Sequence, residues 1–215
     1  MRLLFHILFL GVAVCANDDQ EKRPFWADEE KFGEVQDAWQ VIRRTKNSTR
    51  HLVKATYHNN NVWGRNFSCV YITVRDLYEG NMSSLAKIAY HNENFSYLHH
   101  SDELMSAIKM FNYMNTSNGI MYRTLGNESK TFNDTLVYSD GKDCEVFYTS
   151  EAIDSDGNKT EGYGLWVVEQ KLYQIPPVCE LLFRCLTEGM ETYTMWNASC
   201  DRGPPRTTTP QYETV

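Results

Sequence analysis

Apolar positions recur along this chain at two different spacings, and the change of spacing divides it. From residue 27 to 46, Phe32, Val35, Trp39 and Ile42 fall three and four apart, which predicts a helix with one apolar face. Beyond it come short β-branched and aromatic runs at 50–57, 66–75, 84–91, 94–99, 105–113, 119–124, 131–138, 144–150 and 163–169. Turn residues bound each run, so each predicts a strand. The clearest boundary is Asn59, Asn60 and Asn61, because asparagine tolerates left-handed backbone and bonds its own main chain. Tyr57 and Trp63 flank that turn, and a second strand starts near Phe67 and carries Cys69. Pro176 and Pro177 stop the strands, and Val178 to Gly189 predicts a short helix. Eight or nine short strands at this spacing suggest a sandwich or an up-and-down barrel.

The two ends read differently. Met1 to Ala16 has a charged Arg2, an apolar run from Leu3 to Cys15, and small residues at Val14 and Ala16, the pattern of a secretory signal. That run is too short to span a bilayer. Residues 203–215 are rich in Pro and Thr and predict a disordered tail. Between them, 17–202 suits one domain.

Nine N-x-[S/T] sequons lie at Asn47, Asn66, Asn81, Asn94, Asn115, Asn127, Asn133, Asn158 and Asn197. Roughly two would arise by chance, so the excess predicts a glycosylated, secreted surface. A glycan on Asn133 points to solvent, and alternation then sends Phe132, Asp134, Leu136 and Tyr138 to the other face. Asp134 is then either an interior carboxylate or a solvated rim residue. Loss of Arg2 with the leader takes the formal charge from −7 to −8, which disfavours nucleic acid and anionic membranes as partners. Five cysteines remain after the leader: Cys69, Cys144, Cys179, Cys185 and Cys200. Five is odd, so one is free or joins two chains, giving a monomer or a disulfide-linked dimer.

Little points to catalysis or metal. The D-S-D-G-N run at 154–158 has its glycine at the fourth position rather than the sixth of a calcium loop and no closing glutamate, so it reads as a turn. His99 and His100 are adjacent, so in a strand they face opposite ways. No G-x-S-x-G, H-E-x-x-H or P-loop is present, so the sequence predicts neither an enzyme, nor a metal site, nor a cofactor.

Several segments in order resemble the tick salivary histamine-binding lipocalins. They are F-W-A-D-E at 25–29, Q-D-A-W at 36–39, and K-A-T-Y, V-W-G and F-S-C between 54 and 69. A-I-K-M at 107–110, Y-S-D at 138–140, D-G-N at 156–158, G-Y-G-L-W at 162–166 and the Cys179…Cys200 spacing continue the likeness, which covers about 24–200. The resemblance implies an all-β fold, an eight-stranded antiparallel lipocalin barrel with an N-terminal and a C-terminal helix. It implies bridges Cys69–Cys200 and Cys144–Cys179, leaving Cys185 over. It also implies stoichiometric sequestration of a small host mediator in saliva, histamine first. Some relatives take serotonin, or a leukotriene, fatty acid or cholesterol, and some engage host immune proteins.

An amine pocket needs carboxylates to match the cation and aromatic faces to stack on it. Tyr57, Trp63, Tyr122, Phe132 and Trp166 stand where the family has aromatic pocket residues, and Ile120 replaces another. Trp39 reads as a plug at the barrel's closed end. Asn60 and Gly164 stand where amine binders have acids, and Thr45 replaces a third. Glu103, Asp134 and Glu145 remain acidic. The loss at 60 and 164 weakens the tighter amine site, leaves a weaker one around Glu103 and Glu145, and favours a bulkier hydrophobic ligand as the alternative.

Overall fold

The structure is a computed structural model that describes residues 23–92, 98–126 and 128–200. The leader at 1–16, the tail at 203–215, and the sequons at Asn94 and Asn127 lie outside the described residues.

Eight strands form the wall: β1 Arg50–Ala55, β2 Ser68–Tyr78, β3 Ser83–His91, β4 His99–Ile108, β5 Gly119–Thr124, β6 Thr131–Ser139, β7 Cys144–Ile153 and β8 Lys159–Val168. Each pairs antiparallel with the next, and β1 pairs with both β8 and β2, which closes the barrel. Closure satisfies every edge and leaves an interior that side chains can fill. A two-residue strand, β9 (Tyr193–Thr194), adds to β1 and has no counterpart in the apolar pattern.

The N-terminal helix is broken where one was predicted. It forms as α1 (Glu29–Phe32), a 3₁₀ turn at Gly33–Val35, and α2 (Ala38–Thr45). Asp37 is the cause: its side chain accepts the Gln40 N–H at 3.0 Å, which caps a new helix instead of continuing the old one. Gln36 is buried at the break, donating to the carbonyls of Trp26 and Val137 and accepting from the Tyr113 hydroxyl. The C-terminal helix α3 spans Pro177–Leu186 with Pro177 in its first turn, where the missing N–H costs nothing.

Of the strand predicted at 94–99, residues 94–97 lie outside the described residues; β4 takes in His99 and ends inside the run predicted at 105–113. It stops at Ile108 because Phe111 and Asn112 take left-handed backbone, with φ of 54° and 61°. The β7–β8 hairpin runs longer than predicted, and Asp154 Oδ1 closes its turn by accepting the Asp156 and Asn158 N–H groups.

Two cores result. Inside the barrel pack Leu52, Ile72, Ile88, Met105, Ile120, Leu136, Phe147 and the aromatic rings, with Trp39, Val41 and Ile42 of α2 closing one end. Outside, α3 and the segment around Trp26 cover Val53, Val137, Tyr138, Val146, Leu165 and Val167. Tyr138 therefore faces outward, against the alternation expected from Asn133. A register shift between Leu136 and Tyr138 inserts an extra residue and turns both Val137 and Tyr138 to the outer core. Phe132, Asp134 and Leu136 do point in or lie buried.

Cys69 is bridged to Cys200 and Cys144 to Cys179, the pairs that the resemblance implies. Cys185 is in neither bridge and is half-buried on α3. Asn47, Asn66, Asn81, Asn115, Asn158 and Asn197 are exposed, and Asn133 is half-buried.

Candidate functional site

The barrel mouth is organised by asparagine. Asn60 Oδ1 accepts the backbone N–H groups of Val62 and Trp63 at 2.9 and 2.6 Å, and the Asn60 and Gly64 main chains exchange two bonds. This turn drops the Trp63 indole into the barrel, 2% exposed, edge-on to Phe67 and Phe132. Phe132 in turn stacks on Tyr122, with centroids 4.5 Å apart and planes 5° apart. Tyr57 closes the group by packing its edge on Phe67. It lies close on β8 because residue 162 is glycine: a Cβ there would come within 2.6 Å of the Tyr57 ring.

Two buried carboxylates face this aromatic chamber. Glu103 is fully buried, and neither of its oxygens accepts a well-formed hydrogen bond. Burial pushes its carboxyl up to about 7, with Ser101 and the Trp63 indole near enough to draw it back a little. Asp134 is 2% exposed with Oδ1 unpartnered, and burial lifts it to about 7 as well, against the pull of Thr149. The Trp63 Nε1–H makes no well-formed hydrogen bond either. Tyr122 feels the charges of both acids. The cavity beside Asp134, lined by Tyr57, Asn60, Val62, Phe132 and Thr149, is only about 10 Å³.

A lower chamber lies against α2. Val41, Thr45, Arg50, Ile72, Met105, Ile120, Tyr122, Glu145, Phe147 and Trp166 line its cavity of about 20 Å³. Here the carboxylate already has a cation. Arg50 Nη1 stands 3.2 Å from Glu145 Oε2, with the two side chains 4% and 1% exposed. The pair is charge-matched but lacks hydrogen-bond geometry between those atoms. Burial pushes Glu145 up to about 7, while Arg50 and then Arg44 pull it down. A guanidinium does not shed its proton, so ionised Glu145 is its natural partner.

Along the whole barrel, the chain matches the model of the tick histamine binding protein family over residues 26–202. The chain belongs to that family. It is 36% identical over 204 residues to a male-specific histamine-binding salivary protein of Rhipicephalus appendiculatus, covering 92% of this chain and 96% of that protein. It is 30% identical to female-specific histamine-binding protein 1 of the same species, covering 93% and 98%. Among solved structures it is similar to insecticyanin of Manduca sexta, with a TM-score of 0.52 at 7% identity, covering 74% of this chain and 82% of that one. That likeness shows the lipocalin fold alone. The tick histamine binding protein family is one of ligand-binding proteins, so the chain is not an enzyme. Among the described residues no helix is long and apolar enough to cross a membrane.

The structure gives Asn60 and Gly164, where the resemblance implies lost acids, roles of their own. Asn60 is not idle, since its oxygen builds the turn that carries Trp63. Gly164 does not leave a hole either: a Cβ there would meet Leu52 Cδ1 at 3.1 Å, Trp166 Nε1 at 3.4 Å and the Tyr57 hydroxyl at 3.6 Å. The space expected to admit a bulkier ligand is filled by those neighbours. Thr45 turns inward and spends its hydroxyl on the Val41 carbonyl. The expected residues thus fall into two groups, Tyr57, Asn60, Trp63, Glu103, Phe132 and Asp134 above and Ile120, Glu145 and Trp166 below, with Tyr122 shared between them. Arg50 and Gly162 were not among the expected site residues. Arg50 was legible, because it shares the parity of inward Leu52 on β1.

Proposed function

We propose that the chain is a secreted sequestrant that binds a small cationic mediator, a biogenic amine with histamine as first candidate, one per upper chamber and without turnover. The observation that carries this reading is the pair Glu103 and Asp134: two carboxylates buried among Trp63, Phe132, Tyr122 and Tyr57, with both oxygens of Glu103 and Oδ1 of Asp134 accepting no well-formed hydrogen bond. Buried polar groups left unpaired are costly, and a ligand cation with N–H donors supplies both missing charge and missing bonds. The aromatic faces give the cation a second favourable contact. The relatives' names as histamine-binding proteins support the same class of ligand.

Histamine is larger than the 10 Å³ cavity beside Asp134, so binding displaces side chains. The Trp63 turn at the open end is the element positioned to move. Delivery in saliva, with suppression of a host's inflammatory response, is part of this reading; the salivary relative and the predicted leader support its secretion.

The test is calorimetric titration of the glycosylated protein with histamine at pH 7.5. Glu103→Gln and Asp134→Asn should each weaken binding at least tenfold. Parent-like affinity in both variants sinks the assignment.

A further inference from the structure

The lower chamber has the make-up of an amine site: one buried carboxylate among Tyr122, Phe147 and Trp166. What sets it apart is a cation that the chain itself supplies. Arg50 enters from β1, and its Nη2 donates to the Lys142 carbonyl at 3.3 Å, which fixes the guanidinium from the far side. A second cation stands behind it: Arg44 on α2, whose Nη2 donates to Ser139 Oγ and whose charge reaches Glu145. An incoming ammonium would meet a carboxylate already matched, and two guanidinium charges in a poorly screened interior.

We propose that Arg50 is a resident counter-ion, the specificity-determining residue that occupies the lower carboxylate of Glu145 and confines amine binding in this chain to the upper chamber. This rests on the amine reading above. Arg50 is held by burial, by the Lys142 carbonyl and by Glu145, which keep its guanidinium on the carboxylate. Removing its guanidinium frees a buried carboxylate next to three aromatic rings, the chemistry that takes an organic ammonium.

The experiment compares parent and Arg50→Met, which keeps most of the side-chain volume, by calorimetric titration with histamine. The variant should bind one more equivalent than the parent, and the added equivalent should vanish in Arg50→Met/Glu145→Gln. In the parent background Glu145→Gln should change neither stoichiometry nor, beyond twofold, affinity. Equal stoichiometry in parent and Arg50→Met overturns the proposal, as does a tenfold loss for Glu145→Gln in the parent. Should Arg50→Met not fold, the Glu145→Gln comparison alone decides. Should the parent bind no amine at all, the amine reading of the upper chamber fails. The gain of one equivalent in Arg50→Met still stands or falls by itself.

Discussion

The backbone N–H of Trp63 donates to Oδ1 of Asn60 at 2.6 Å, so Asn60 holds the indole in the barrel mouth. An aspartate accepts the same bond, whereas alanine cannot. Asn60→Asp should therefore keep the turn, add a negative charge beside Asp134 and tighten histamine binding about tenfold or more. Asn60→Ala should weaken binding through a disordered Trp63. Titration of both variants checks this, and Asn60→Asp binding no better than parent would refute it.

Gly164 is filled space, so its substitution should cost stability. Gly164→Ala drives a methyl to 3.1 Å from Leu52 Cδ1, in a core where small overpacking typically costs ~1–3 kcal/mol. A thermal melt should show Tm several degrees lower. An unchanged Tm would mean that Leu52 yields freely.

Glu103 has a folded-state pKa of about 7 against 4.5 for the free side chain. Its folded form holds the proton more tightly, so its stability contribution is intact below about pH 4.5, is lost as pH rises to about 7, and stays lost above. The loss at pH 7.5 is on the order of a few kcal/mol. Glu103→Gln should thus gain stability over the parent as pH climbs from 4.5 to 7, while losing histamine affinity. Denaturant melts across that range check it, and a pH-independent difference would contradict the buried assignment. Histamine binding by the parent should weaken below pH 7 as Glu103 and Asp134 protonate.

The Cys69–Cys200 bridge spans 131 residues and the Cys144–Cys179 bridge 35. Loop-closure entropy assigns them about 5 and about 4 kcal/mol. Cys69→Ser/Cys200→Ser should lower the unfolding free energy by that larger amount, and Cys144→Ser/Cys179→Ser by the smaller. The reverse order would place the main stabilisation in the α3 attachment.

The barrel was legible because its strands carry their own punctuation: β5 at 119–124 matches the apolar run residue for residue. What misled was local chemistry that outweighs periodicity. Asp37 prefers to cap, which split the helix, and the bulge after Leu136 reversed the facing of Tyr138. At the site, the aromatic and acidic residues were visible one by one. Their grouping was not, because Arg50 meets Glu145 across β8, 95 positions away in sequence. A like distance hides the way Leu52 fills the space beside Gly164.

All five tryptophans are buried, at 8% exposure or less, but their surroundings differ. Trp26 and Trp196 sit in the outer core, Trp39 under the closed end, and Trp166 in the lower chamber. Trp63 alone has its indole N–H beside the Glu103 carboxyl, at the open end. Its emission should therefore respond when that carboxyl gains a proton or a bound cation. In the purified protein, Trp63 should thus report on the upper chamber without an added label.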